Sequence, residues 1–539
     1  MPQRRGGSMT AAELIVSAMQ AEGVSAAFGL VGTHVVEIYE ALRRAPDIRH
    51  VTSKHEANAT LMADAYSRLS GKISVCFSTA GPGLLNSLAG IGQAYASNSP
   101  TIHISGSLPL GAPRRSLHAL DREDYTLRAL EPLTKLSVRP RTLAELAAVL
   151  PCCFAAARDA EPGPVHIEIP WDLMMAPAAP IAAYRPKPQK PTKPDPLPAN
   201  LARKLRSSRR PLFCIDALCI RNALLDDVIA LAESQGAMMV VSYDAFGAVP
   251  SAHPLNAGVL SDFYFGTAAL DAIGQADFII GFGVLAKSES ERLIRQHAKV
   301  RPILADGRTL RSWHEQGSLA ALAPALGSKG KNPWFARRCH GEWRKAVMKL
   351  AKPRSRGAMH FGRAMLNLAG RIGPDTTVIL DAGSHEIWAR AILPSFGVDS
   401  FIGSGNWGGM GYGLPGLIGA RIAQPQRRAV AITGDGCLLM SMADLCTLAT
   451  VGGPAVMVVM NNAMYGEIKR VQLARFGAGH EIDIPALDFA RIAESFGIRG
   501  IRVEREGALD AAFAEAFASP KPVIVDVVCG DDVAFPELP

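Results

Sequence analysis

Three consecutive α/β domains, each a doubly wound parallel sheet, are the fold class this sequence predicts. Apolar runs of four to six residues alternate with amphipathic helical stretches, the pattern of βαβ units rather than of hairpins. Two Pro- and basic-rich segments, 184–200 and 350–357, interrupt the alternation and read as linkers. The length of 539 residues accommodates three or four domains at the usual ~150 residues each. The partition is therefore 1–183, a linker at 184–200, 201–349, a linker at 350–357, and 358–539.

The elements follow in order. Thr10 and Glu13 have the spacing of a capping box at the start of the first helix. Strands are expected at 26–29, 48–52, 74–77 and 101–104 in the first domain, and at 212–215, 238–241 and 278–281 in the second. In the third they fall at 377–380, 429–433 and 455–460, with a helix over 438–450 between the last two. The apolar fraction of 48% against 20% charged is that of a soluble globular protein. The net charge of +8 is scattered except in the linkers and at 203–210, so it reads as solvated surface with attraction for small anions, not as a nucleic-acid face. Nine cysteines lack any Cys-x-x-Cys spacing, and Cys152-Cys153 sits in an apolar helical stretch, which predicts a reduced, cytoplasmic protein. The basic stretch 1–8 precedes an amphipathic segment instead of an apolar signal core, and no apolar run approaches the ~18 residues of a membrane span.

Two small motifs carry the chemistry. Gly434-Asp435-Gly436 follows the strand at 429–433, and Asn461-Asn462 follows the strand at 455–460, with twenty-four residues between the motifs. Either motif alone is a common turn. At the carboxyl ends of two strands of a parallel sheet they lie where ligands bind. Glycines after the strand let backbone N–H groups approach phosphate oxygens, and a carboxylate beside a diphosphate requires a bridging cation, with hard oxygen ligands pointing to Mg²⁺ or Ca²⁺. The run 405–413 is too glycine-rich for a regular element and must approach something closely.

With these motifs in this order, the chain resembles the thiamine-diphosphate-dependent enzymes over nearly its full length, a group that includes acetohydroxyacid synthases, oxalyl-CoA decarboxylases and benzoylformate decarboxylases. The resemblance implies pyrimidine-binding, central and diphosphate-binding domains in that order. It implies Mg²⁺ held by Asp435, the side-chain oxygen of Asn462 and the carbonyl of Met464, together with two phosphate oxygens. The backbone at Gly436 and Cys437, where the family usually has Ser, would contact phosphate, and Gly383-Ser384-His385 matches a phosphate-side turn. The carbonyl of Gly408 would receive the cofactor's 4′-amino group, Met410 would wedge between its two rings, and Tyr465 would lie near the thiazolium. Glu56, in the first turn of the helix after the strand at 48–52, matches the glutamate that hydrogen-bonds the aminopyrimidine N1′ and is the expected catalytic residue. Pro82 and Asn86, in the turn 79–86, match the pyrimidine-side contacts, and Thr33, His34, Glu467 and Ile468 are the candidate substrate contacts.

The implied activity is cleavage or formation of a carbon–carbon bond beside the carbonyl of a 2-oxo acid, acetolactate synthase-like, in a homodimer at minimum and a homotetramer by family habit. Neither nucleic acid nor membrane is an expected partner. Simple decarboxylation, including that of a guanidino 2-oxo acid, and a non-catalytic cofactor-binding regulatory subunit are the alternatives; an intact Glu56 argues against the second. Some positions depart from the family. Ser107 stands where acetohydroxyacid synthases have Gln, and Asp121 where they have a pocket Phe. His103 and His118 are isolated, where pyruvate decarboxylases have adjacent histidines. Ile468 replaces the glutamate of simple decarboxylases, and Glu467, one place earlier, has the spacing of an ion-pair partner for Arg470. In the central domain Ile215-Asp216-Ala217 replaces a glycine-rich turn and Gly283 is not followed by an arginine-bearing loop, which argues against bound FAD and against a flavin-dependent oxidase of this fold.

Overall fold

The computed structural model describes residues 9–176, 184–188, 193, 195–261, 266–326, 334 and 359–530. The expected linker at 350–357 and the end of the central segment at 335–349 lie outside the described residues. The chain divides into two compact units, Met1–Lys190 with Leu414–Pro425 and Ser441–Val451, and Pro191–Gly413 with Gln426–Met440 and Gly452–Pro539.

The first unit is built on six parallel strands: β1 (Ala26–Gly29), β2 (Arg49–Thr52), β3 (Ser74–Ser78), β4 (Thr101–Ser107), β5 (Leu136–Val138) and β6 (Val165–Pro170), in the order β2-β1-β3-β4-β6-β5. Strands β3, β4 and β6 are buried at every position, as expected of a parallel sheet covered on both faces. Val75, Phe77, Ile102, Ile104, Val165 and Ile167 pack against the helices Ala11–Ala21 and Leu143–Ala157. The capping box forms: the Thr10 N–H donates to Glu13 Oε2 at 2.8 Å and the Glu13 N–H to Thr10 Oγ1 at 3.2 Å.

His103 and His166 are directly opposite on β4 and β6, and their Nδ1 atoms are 2.9 Å apart in stacked rings. His103, isolated in the sequence, is therefore paired in space. Burial pushes its pKa down to about 3, so the pair is held neutral. Such a pairing depends on strand register, which the sequence does not display.

Two segments from the distal part of the chain complete this unit. A Cβ at Gly419 would stand 2.4 Å from the Met62 carbonyl, so only glycine allows the segment 414–425 to lie this close to the helix Glu56–Ser70. In the segment 441–451 the expected helix over 438–450 is broken into Asp435–Ser441, a 3₁₀ turn Met442–Asp444, and Leu445–Val451. The break turns Asp444 inward. Its buried carboxylate accepts from the Lys54 N–H at 2.9 Å, Asn58 Nδ2 at 2.6 Å, Thr447 Oγ1 at 2.7 Å and Ser53 Oγ at 3.2 Å.

The second unit holds two sheets. The central one has β7 (Pro211–Ile215), β8 (Met238–Ser242), β9 (Asn256–Leu260), β10 (Phe278–Phe282) and β11 (Ile303–Ala305), in the order β11-β10-β7-β8-β9. The last has β12 (Thr376–Leu380), β13 (Phe401–Gly403), β14 (Arg428–Gly434), β15 (Ala455–Asn461), β16 (Arg499–Val503) and β17 (Val523–Val528), in the order β13-β12-β14-β15-β17-β16. All pairings are parallel. Numbered from its own first strand, the last sheet has the same order as the first. The short strands β5, β11 and β13 have only three residues each, too few to give a period in the sequence.

Removing the Asp444 carboxylate leaves several buried donors at the start of the helix Glu56–Ser70 without an acceptor. Asp444→Ala is expected to destabilise the first unit by about 3 kcal/mol, read as a lower midpoint in chemical unfolding, and Asp444→Asn by less. An unchanged midpoint in Asp444→Ala would show that water replaces these bonds without loss.

Candidate active site

At the carboxyl end of β14, Asp435 is 3% exposed, and its Oδ1 accepts from the Gly436 N–H at 2.7 Å and Oδ2 from the Asn462 N–H at 3.1 Å. The two motifs meet through this carboxylate. Burial raises its pKa above the ordinary carboxylate range, an effect partly offset by the N–H groups of Gly436, Ala463, Asn462 and Met464. Ala463 adopts φ +54°, and the turn is held from behind by the Tyr465 N–H to Ile482 O at 2.8 Å and the Ile484 N–H to Ala463 O at 2.8 Å. The Met464 carbonyl accepts from the Gly466 N–H at 3.0 Å and keeps a second lone pair. A Cβ on Gly436 would meet the Tyr465 ring at 2.7 Å, so glycine there seats the tyrosine against the motif.

A cavity of about 230 Å³ opens beside Asp435. Its wall brings together the predicted Gly383, Ser384, His385, Gly408, Met410, Gly436, Cys437, Asn462, Met464, Tyr465, Glu467 and Ile468. Phe361, Ala382, Met460 and Gly466 also line it and carried no signal in the sequence beyond apolar or glycine character. Gly383, at φ +144°, turns the chain from β12 into the helix Ser384–Ile392, whose first-turn N–H groups suit an anion. His385 is 4% exposed, and burial lowers its pKa to about 4. The Cys437 thiol is buried and donates to the Ala382 carbonyl at 3.1 Å. Met410 is 37% exposed, which is not the burial of core filler, and Gly408 at φ +65° has open space on its Cβ side. Asp381, at the end of β12, accepts from the N–H groups of Gly411, Tyr412 and Gly413 at 2.9, 3.1 and 2.8 Å and so fixes the far end of this glycine-rich loop.

Two buried polar atoms on this wall, Asn462 Nδ2 and His385 Nε2, have no partner among the described residues. An unsatisfied buried polar atom is costly, and the Asn462 amide donor would be satisfied by an oxygen-rich ligand. The donor set therefore fits a diphosphate and a hard cation: one carboxylate, one amide, one carbonyl with a spare lone pair, and helix-start N–H groups. Among the described residues no cluster of three His, Cys, Asp or Glu side chains is arranged for a metal, and a cation bridged by phosphate oxygens does not need one. Glu467 pairs with Arg470 at 2.6 Å, as the helical spacing predicts, and its other oxygen accepts from Ser384 Oγ at 3.2 Å. Ile468 is 52% exposed.

The first unit carries its own group of predicted residues. Glu56, 7% exposed, opens the helix Glu56–Ser70, and Asn86 Nδ2 donates to its Oε2 at 3.1 Å. Pro82 starts a short helix Pro82–Asn86, where its fixed φ suits a first helical position. Gly83 faces Glu56: a Cβ there would stand 3.0 Å from Oε1. His34 is buried, with Nδ1 3.1 Å from Thr79 Oγ1, and Thr33 is exposed at the start of the same 3₁₀ turn. His118, also isolated in the sequence, sets its ring edge-on to His34 at 5.3 Å. The first sheet's loops thus hold a histidine pair that no sequence spacing reveals.

Family models match three stretches of the chain: the thiamine pyrophosphate enzyme N-terminal TPP binding domain at residues 9–124, the central domain at 199–312 and the C-terminal TPP binding domain at 381–527. Among curated relatives, a probable acetolactate synthase large subunit of Methanocaldococcus jannaschii is 28% identical over 98% of this chain and 94% of the relative. The acetolactate synthase large subunit of Parasynechococcus marenigrum is 29% identical over 99% and 90%. The acetolactate synthase isozyme 2 large subunit of Escherichia coli is 27% identical over 96% and 95%. Three matched domains in this order, with the Asp435 and Asn462 motifs meeting on the third, mean that the chain belongs to the thiamine pyrophosphate-dependent enzymes.

Proposed function

We propose that this chain is a Mg²⁺- and thiamine-diphosphate-dependent, acetolactate synthase-like enzyme that joins a 2-oxo acid, after loss of CO₂, to a second carbonyl compound. The observation that carries the reading is the meeting of Asp435 and Asn462 on one wall of a cavity that also holds Gly408, Met410 and the start of the helix Ser384–Ile392. The large-subunit acetolactate synthases to which the chain is similar over nearly its whole length support it. The enzyme works in the cytoplasm as a homodimer at minimum and as a homotetramer, with Glu56 of one copy serving the cofactor held by the other.

Bound thiamine diphosphate supplies a carbon centre that takes up the electron pair left by departing CO₂ and returns it to a new bond. The protein's own residues do the rest. Asp435, Asn462 and the Met464 carbonyl hold Mg²⁺, and the backbone of Gly436, Cys437 and Gly383–His385 receives the phosphates. The Gly408 carbonyl, Met410 and Tyr465 orient the rings. Pro82 and Asn86 set Glu56, which holds a proton at the aminopyrimidine N1′. Thr33, His34 and Ile468 bound the substrate space. Glu467 is neutralised by Arg470, which supports a structural ion pair and leaves a guanidino 2-oxo acid without a free carboxylate to select it.

We propose that the central domain holds no flavin. Asp216, at the end of β7, accepts from the Ala217 N–H at 2.7 Å and from Ser242 Oγ at 2.7 Å, so a carboxylate stands at the helix start that a nucleotide phosphate would need.

Asp435→Ala should abolish metal-dependent binding of thiamine diphosphate and Asn462→Ala should weaken it strongly, as read by calorimetric titration. Affinity unaffected by EDTA and by both substitutions would remove the metal clamp. Glu56→Gln should retain the cofactor but slow hydrogen–deuterium exchange at its C2 by about 10² to 10⁴-fold, the range general acid–base groups contribute. Wild-type exchange in this variant would take Glu56 out of the chemistry. Incubation with pyruvate or a longer 2-oxo acid and an acceptor, with products identified by mass spectrometry, should give a joined product, because Ile468 makes the surroundings apolar where a protonating glutamate would release aldehyde. Free aldehyde alone across a broad panel would make the enzyme a simple decarboxylase, and no turnover of any acid would favour a regulatory subunit.

A further inference from the structure

The stretch Trp407–Met410, which the proposed function places against the cofactor's rings, is poorly fixed by its own packing. Trp407 is 47% exposed, Met410 is 37% exposed, and Gly408 has no atom within 4 Å of its Cβ position. A segment with so little burial holds one conformation only if its ends are held. Asp381 holds one end, through the N–H groups of Gly411, Tyr412 and Gly413. The other end is held from the central domain. Asp244, on the turn after β8, accepts from the Asn406 N–H at 2.9 Å through Oδ1 and from Asn406 Nδ2 at 2.6 Å through Oδ2. Gly405 is built for this approach: at φ +56°, a Cβ there would stand 1.8 Å from Asp244 Oδ1.

Asp244 is in turn fixed to the phosphate side. The preceding residue, Tyr243, offers its carbonyl to Arg390 Nη1 at 3.1 Å, and the Arg390 guanidinium lies over the Tyr243 ring at 3.9 Å and the Phe246 ring at 4.7 Å. Arg390 is ion-paired with Glu386 at 2.7 Å on the helix Ser384–Ile392. That helix begins with Ser384 and His385 on the cavity wall. A chain of short contacts thus runs from the phosphate-side helix through the central domain to the ring-side loop.

We propose that Asp244 is a positioning residue for the cofactor's ring portion, setting the Gly408–Met410 stretch at a fixed span from the phosphate-side turn; this rests on the thiamine-diphosphate reading of the cavity. The central domain then acts on the chemistry without touching a reacting atom. The role predicts a loss confined to ligands that carry the rings.

Calorimetric titration of the full-length protein with Mg²⁺ and either thiamine diphosphate or inorganic pyrophosphate separates the two ends. Asp244→Ala should weaken thiamine diphosphate by about tenfold or more, since hydrogen bonds to a charged group are lost, while pyrophosphate affinity stays within about twofold. Asp244→Asn keeps an acceptor for the Asn406 N–H, and an amide pair can re-form with the Asn406 side chain turned over, so it should remain within about threefold of wild type. Asn406→Ala removes the exposed half of the tether without touching the central domain's core and should weaken thiamine diphosphate alone, severalfold, even if Asp244→Ala fails to fold. Equal losses for both ligands, or unchanged thiamine diphosphate affinity in Asp244→Ala or Asn406→Ala, overturns the proposal. Wild-type protein that binds neither ligand overturns the cofactor reading, and the proposal with it.

Discussion

Asp435 ends β14 as a buried carboxylate on which backbone N–H groups from two separate turns converge. Those donors lower the cost of its burial without removing it, since its pKa remains raised. The cation of the proposed function would offset the remaining cost. The shape of residues 462–465 follows from this: Ala463 takes a left-handed conformation so that successive N–H groups can face the carboxylate, and the neighbouring segment 482–484 braces the turn from outside. The rest of the cavity wall is arranged around the same point, with the helix Ser384–Ile392 presenting its N-terminal end and the 405–413 loop pinned by two other carboxylates.

What the sequence made legible was local. Asp435 and Asn462 could be read because each stands one or two residues past an apolar strand, and Glu56 because a strand ends four residues before it. The capping box at Thr10 and the Glu467–Arg470 pair were legible for the same reason, since helix geometry fixes which neighbours meet. Asp244, Asp381 and Asp444 were not. Each looks like an ordinary loop acid, and its partners lie 162, 30 to 32, and as many as 391 residues away. The histidine pairs His103–His166 and His34–His118 were hidden by the same limit, because strand register and loop closure decide them. The helix over 438–450 was misread because its hydrophobic period continues through the 3₁₀ turn that brings Asp444 inside.

The gathering of three domains into two compact units also has a local cause. Segments 414–425 and 441–451 belong to the last domain by sequence, yet each is bonded into the first unit, one by glycine-mediated close approach and the other by Asp444. The Asp444 carboxylate grips the residues immediately before Glu56, and it stands nine residues after Asp435. The segment that begins at the Asp435 turn therefore also sets the start of the helix that Glu56 opens.

The shared strand order of the two outer sheets has a further meaning. Matched strand for strand, β1 corresponds to β12, β2 to β13, β3 to β14 and β4 to β15. The turn bearing Thr33 and His34 is then the counterpart of Ser384 and His385, and the start of the Glu56 helix is the counterpart of the 405–413 loop. The turn at Pro82 answers to that at Asp435. One wiring diagram is thus used twice within a single polypeptide, and the proposed function assigns proton handling to one set of connections and anion binding to the other. The division of labour resides in a few short loops, while the scaffold beneath them is interchangeable in plan.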